Sequence, residues 1–104
     1  MVVVTFRNRM APGVDEQEYG QRVGKLFEIV AAMPGFRGIR SYESEDGEKL
    51  SLIEFESHES MAAWREQAEH LVAQELGRQQ YYSEYHLQIC DLVRESHKEP
   101  RGQR

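Results

Sequence analysis

Three side chains in this sequence combine useful chemistry with telling positions: Asn8, Trp64 and His70. Asn8 falls on the apolar phase of an alternating run over 2–10, with Val2, Val4, Phe6 and Met10. An amide there must find partners, because removing it from water without a hydrogen bond is costly. It either bonds a neighbouring backbone group or presents itself to a ligand. Trp64, the single tryptophan, lies in a helical pattern. It reads as a core anchor or as the wall of an aromatic pocket suited to stacking. His70 reads as a half-exposed or satisfied core group, or as a base whose pKa range suits removal of a phenolic proton. Gln74 shares the helix face of His70 one turn on. Tyr81 and Tyr82 read as sheet packing, while the Tyr85 hydroxyl is left open to a ligand. His58, His86 and His97 are weaker candidates, in a helix first turn, at a sheet rim and in the tail. Arg7, Arg9, Arg40 and Glu54 read as structural ion pairs on strands.

The elements that must position these groups follow from periodicity and punctuation. The strand over 2–10 ends at Ala11-Pro12-Gly13. Asp15 then fits a helix N-cap, with Glu18 as the partner of a capping box. The helix runs to about residue 32 on the stripe Tyr19, Val23, Leu26, Phe27, Val30 and Met33, and Pro34-Gly35 stops it. Strands at 36–44 and 49–56 flank Asp46-Gly47, a strong hairpin signal. Ser57 caps a helix carrying Met61, Ala62 and Trp64, extended by Leu71, Val72 and Leu76, with a kink near Ala68 and Gly77 as C-cap. The last strand covers 81–93, with Tyr81, Tyr85, Leu87, Ile89 and Val93 on one phase. Tyr82, Glu84, His86, Gln88 and Cys90 take the other.

The order β-α-β-β-α-β is that of the ferredoxin-like α+β arrangement, a four-stranded antiparallel sheet with helices on one face. The expected domain is 1–94, followed by a polar, disordered tail over 95–104. The opposite sheet face needs a cover, and a second copy is the simplest one.

Bulk composition narrows the classes. The chain has 104 residues and a net charge of −5, a balance that argues against nucleic acid, which needs clustered Lys and Arg. The lone Cys90 forms no internal disulfide and reads as a buried small hydrophobe, and no Cys/His spacing fits a zinc site. No signal peptide or membrane-length apolar run is visible, so a cytoplasmic location is expected, with no membrane partner.

The ordered set now supports a resemblance. Asn8-Arg9, the run Met33-Pro34-Gly35-Phe36-Arg37-Gly38, the Asp46-Gly47 hairpin, Ile53-Glu54-Phe55-Glu56-Ser57, Ala63-Trp64, His70 and Tyr85 together resemble the antibiotic biosynthesis monooxygenase family. The resemblance covers about residues 1–93 and implies a dimeric α/β barrel, with a pocket between helices and sheet in each subunit. It also implies three kinds of relative: cofactor-free oxygenases of aromatic phenols or quinols, haem-degrading oxygenases, and members without an assigned substrate. The haem-degrading pattern has an Asn late in the first strand, a Trp on the helix after the third strand, and a His ligand ten residues beyond that Trp. Here Asn8 and Trp64 match, but Gln74 stands where the ligand belongs.

The expectation is therefore a homodimeric monooxygenase without cofactor or metal, acting with O2 on a small electron-rich aromatic. Asn8, Trp64 and His70 would carry the chemistry. Phe6, Phe27, Leu71, Gln74 and Tyr85 would contact the substrate. Haem binding and a non-enzymatic ligand-binding dimer are the alternatives, since fold resemblance alone does not establish chemistry.

Overall fold

The computed structural model describes residues 1–98. The elements are β1 (Val2–Met10), α1 (Glu16–Ala31), β2 (Phe36–Glu43), β3 (Lys49–Phe55), α2 (His58–Arg65), α3 (Ala68–Leu76), a π-helical turn (Gly77–Tyr81) and β4 (Tyr82–Asp91). The sheet is antiparallel throughout, in the order β2-β3-β1-β4. This is the ferredoxin-like α+β order read from the sequence. Residues 95–98 carry no regular structure, and the rest of the expected tail, 99–104, lies outside the described residues. Among the described residues no helix is long and apolar enough to cross a membrane.

Register decides which side chains meet the helices. Val4 pairs with Ile53 and Ile89, Phe6 with Ser51 and Leu87, and Asn8 with Lys49 and Tyr85. Directly paired residues point to one face, so β1 and β4 present their apolar phase under the helices together. Val2, Val4, Leu26, Val30, Phe55, Met61 and Trp64 form the core there. The opposite face carries cross-strand polar pairs: Thr5 to Gln88 at 2.9 Å and Arg7 to His86 at 2.9 Å. On the same face Arg9 holds Glu84 at 3.0 Å and Asp46 at 2.7 Å. Cys90 pairs with Val3 on that face and is exposed, not buried as its residue type suggested.

Local chemistry explains the boundaries. Asp15 Oδ1 accepts the Gln17 and Glu18 N–H groups at 3.1 Å each. Among the described residues Glu18 makes no return bond to Asp15; its carboxylate is engaged by Tyr81 and Arg22 instead. Ser57 caps α2 and closes a reciprocal box with Ser60. Gly35 has φ 84°, and a Cβ there would lie 2.4 Å from the Ser60 Cβ, so both conformation and space select glycine.

The kink expected near Ala68 in the second helical region is a full break. The region is two helices, broken at Glu66 and Gln67. Gln67 takes extended backbone and accepts the His70 N–H on Oε1 at 3.0 Å, capping α3. Gly77 is the C-cap of α3, as expected, but it does not end the helical path. It keeps right-handed helical angles and passes the chain into the π turn. A Cβ there would come within 2.9 Å of the Tyr82 ring, which accounts for the glycine. A bulge between Arg9 and Met10 then pairs Met10 with Tyr82. It turns Tyr82 to the helix side, against the phase expected for it.

Candidate functional site

Between the helices and the sheet lies a cavity of about 650 Å³, within the usual range of small-molecule sites. Its floor includes Val4, Phe6 and Asn8 of β1, Ile53 of β3, and Tyr85, Leu87 and Ile89 of β4. Tyr19, Arg22, Val23, Leu26 and Phe27 contribute from α1. Trp64 and the α3 stripe of His70, Ala73 and Gln74, continued by Gly77, complete the enclosure. That stripe repeats at helical spacing, so one face of α3 is turned inward.

Asn8 is the one buried polar residue among the described residues, 4% exposed, and it borders the cavity. Its Oδ1 is buried and has no hydrogen-bond partner. Its neighbours across the sheet are Lys49 and Tyr85. A buried acceptor without a donor is unfavourable by roughly 1–3 kcal/mol, and a ligand hydroxyl entering the cavity would remove that penalty.

Trp64 is both core and cavity wall. It is 8% exposed, belongs to the central cluster and borders the cavity. The His70 ring stacks on it, centroids 4.0 Å apart and planes 12° from parallel. His70 Nδ1 lies 3.0 Å from the Trp64 carbonyl oxygen. A carbonyl only accepts, so Nδ1 carries the proton and Nε2 keeps its lone pair. Burial pushes the His70 pKa below its ordinary value, opposed by the bond to the Trp64 carbonyl. The neutral, Nδ1-protonated ring is thus the stable form, and its free nitrogen is a base. Gln74 Nε2 donates to the Arg65 carbonyl at 2.8 Å, tying α3 back to α2 across the break.

Around Phe6 the cavity is aromatic. Phe6 contacts Tyr82 and Tyr85 at 5.3 and 5.8 Å between centroids. The Tyr19 and Tyr82 hydroxyls lie 3.0 Å apart. Burial, with the Tyr19 bond adding to it, pushes the Tyr82 phenol far up, so it stays protonated. Tyr81 donates its proton to the Glu18 carboxylate at 2.9 Å and accepts from Arg22 Nε at 2.9 Å. Tyr81, read as strand packing, is therefore the buried centre of a polar network at the end of the π turn.

Of the expected site residues, Asn8, Trp64, His70, Phe6, Phe27, Gln74 and Tyr85 all border this cavity. Leu71 does not: it is 50% exposed. The break before α3 sets the inward stripe at His70, Ala73 and Gln74, and Leu71 lies about 100° around the helix from His70. Tyr19 and Arg22 were missed. The available signal was spacing, because Arg22 lies within the stripe Tyr19, Val23, Leu26, where a charge is out of place. Among the described residues no group of three or more His, Cys, Asp or Glu gathers as metal ligands would.

Residues 1–76 match the family model described as antibiotic biosynthesis monooxygenase. The chain belongs to that family. A similar curated protein, the uncharacterized protein YqjZ of Bacillus subtilis, is 29% identical over 77 residues, which is 74% of this chain and 68% of its own. Rv0793 of Mycobacterium tuberculosis has a similar structure, with a TM-score of 0.78 at 18% identity over 92% of this chain and 98% of that one. SnoaB of Streptomyces nogalater, a cofactor-independent oxygenase solved as its N63A mutant, gives 0.66 at 16% identity over 89% and 95%. At these identities the two structures attest the fold. The segment matched to the antibiotic biosynthesis monooxygenase family contains Asn8, Trp64, His70 and Gln74 and ends before the tyrosines at 81, 82 and 85.

Proposed function

We propose that this chain is a cofactor-independent monooxygenase acting on a small electron-rich aromatic, a phenol, quinol or anthrone-like polyketide. The observation that carries the reading is the pairing of a bare base with a bare acceptor in one apolar cavity. His70 Nε2 is unprotonated and unbonded, and Asn8 Oδ1 has no donor. Family membership and the likeness to a cofactor-independent oxygenase support it. Gln74, which stands at the ligand position of the haem-degrading pattern and donates Nε2 to the Arg65 carbonyl, favours it over the haem-degrading alternative.

In this reading the ring lies against Trp64 and Phe6, and a substrate hydroxyl bonds to Asn8. His70 removes a proton, and the apolar walls destabilise the localised anion relative to water. The carbanion or phenolate gives one electron to O2, and the radical pair collapses to a C–O bond. The resulting peroxide anion takes the proton back from His70 and becomes a hydroperoxide. Loss of water breaks the O–O bond and leaves a new carbonyl. For an anthrone the balance is substrate plus O2 giving quinone plus water, with no outside reductant.

The same reading places a second copy on the helix-free sheet face, where Leu50 and Leu52 pair with Tyr42 and Arg40 of the edge strand. Sedimentation equilibrium at micromolar concentration tests that part. The activity test is oxygen uptake against a panel of hydroquinones and anthrones. Wild type consumes O2 with at least one of them, while Asn8→Ala and His70→Gln fall by about 10²-fold or more. Uptake unaffected by both substitutions would sink the assignment of those residues. Saturable binding of the panel with no uptake by wild type would instead leave a non-enzymatic ligand-binding protein.

A further inference from the structure

Arg22 is the cavity's unexplained cation. It sits on α1 in the apolar stripe and borders the cavity half-buried, whereas Lys49, Arg65 and Arg78 border it as exposed residues. Its Nε is engaged by the Tyr81 hydroxyl at 2.9 Å and Glu18 at 3.2 Å. Those contacts fix the orientation of the planar guanidinium. No hydrogen bond is made by Nη1 or Nη2 among the described residues, and neither is sealed off from solvent. A guanidinium has five N–H donors in a rigid fork, and its outer edge fits a carboxylate or carbonyl oxygen. The cavity thus offers a free donor fork on the helix side and a bare acceptor, Asn8 Oδ1, on the sheet side.

We propose that Arg22 is a specificity-determining residue that binds a carbonyl-type oxygen of the ligand, so the preferred class is a hydroxylated aromatic that also bears a carboxylate or ketone. This rests on the reading of the cavity as a ligand pocket. The hydroxyl answers Asn8 and the acceptor oxygen answers Arg22. Glu18 offsets the charge of Arg22, which lets a neutral ketone bind and holds down the affinity for a full carboxylate.

Calorimetric titration of the full chain with 1-hydroxy-2-naphthoate and with 1-naphthol tests this, with emission from Trp64, the single tryptophan, reporting that the ligand enters the cavity. The carboxylate binds about tenfold tighter than the naphthol in wild type. Arg22→Gln abolishes that preference and changes naphthol affinity by less than about twofold. Glu18→Gln tightens 1-hydroxy-2-naphthoate by about threefold or more, a gain that a damaged fold cannot produce. Equal wild-type affinity for the two ligands, or an Arg22→Gln variant that weakens both alike, overturns the anchor and leaves the pocket reading standing. If neither ligand binds or perturbs Trp64 emission, the anchor and the pocket reading fall together.

Discussion

The His70 imidazole lies flat on the Trp64 indole and donates from Nδ1 to the carbonyl of that same residue. One residue thus supplies the surface His70 rests on and fixes which of its nitrogens is basic. The stack gives His70 little freedom to turn. The break between α2 and α3 makes it possible, since a continuous helix would carry residue 70 away from the carbonyl of residue 64.

The pH dependence follows from that burial. His70 has a folded pKa below its ordinary 6.5, so the fold favours the neutral ring. Its stabilising contribution is complete above the unfolded pKa and is lost as pH falls toward the folded value, because the unfolded chain binds the proton first. Oxygen uptake is expected to be flat at neutral pH and to fall on an acid limb below 6.5. The thermal midpoint should fall over the same window. In His70→Gln this residue's share of the acid loss disappears, leaving a shallower slope in a melting series between pH 5 and 7.5.

Trp64 separates packing from chemistry. Trp64→Ala should destabilise by ~3–5 kcal/mol, as large-to-small core changes do, measured by urea unfolding. Trp64→Phe keeps most of the burial and should lose about 1–2 kcal/mol. If Trp64 is a catalytic wall as well, Trp64→Phe lowers turnover beyond what its folded fraction explains. Turnover that tracks the folded fraction would leave Trp64 a core residue only.

Asn8 should show the opposite trade. Its unpaired Oδ1 is a liability to the empty protein. Asn8→Leu is therefore expected to leave stability unchanged or raise it by up to ~1–2 kcal/mol, while oxygen uptake drops sharply. A marked fall in the unfolding midpoint would show instead that the amide is structural.

Gly35 and Gly13 form a matched pair. Both have positive φ, 84° and 79°, but only at Gly35 does an added Cβ meet another atom, the Ser60 Cβ at 2.4 Å. Gly13→Ala should cost about 1–2 kcal/mol from backbone conformation alone. Gly35→Ala should cost clearly more, and in a double-mutant cycle Ser60→Gly, which by itself loses its half of the Ser57 box, should recover that excess relative to its own single-variant cost. Equal costs in chemical denaturation would discount the contact.

Much of this molecule was written in local patterns. The β-α-β-β-α order, the Asp46-Gly47 turn, the Ser57 cap and the phase of Tyr85, Leu87 and Ile89 each depend on a few neighbouring residues. What escaped was set by tertiary context. The kink near Ala68 was expected, but Gln67 is an uncommon cap, so its being a full break carried no strong signal. The π turn and the bulge that redirect Tyr81 and Tyr82 each shift the period by one residue, which defeats phase counting. Leu71 looked like pocket lining only while the two helices were counted as one. Arg22 looked incidental because only the apolar members of its stripe were weighed.

The division of the second helical region has a consequence for entry. No residue of α3 is fully buried. Its polar attachments to the rest of the chain include the Trp64 and Arg65 carbonyls and an exposed Lys25–Glu69 pair at 3.7 Å. A segment with so few anchors opens at a small fraction of the global unfolding free energy. The two residues at 66 and 67 are a ready joint. Swinging α3 about it, with the π turn at Gly77–Tyr81 yielding at the other end, would break the His70 and Gln74 bonds and uncover the cavity. Backbone amides of α3 should then exchange with deuterium well before those of α1, and a bound aromatic should slow them. The base and the gate would be parts of one moving piece, so the base would come into register as the cavity closes.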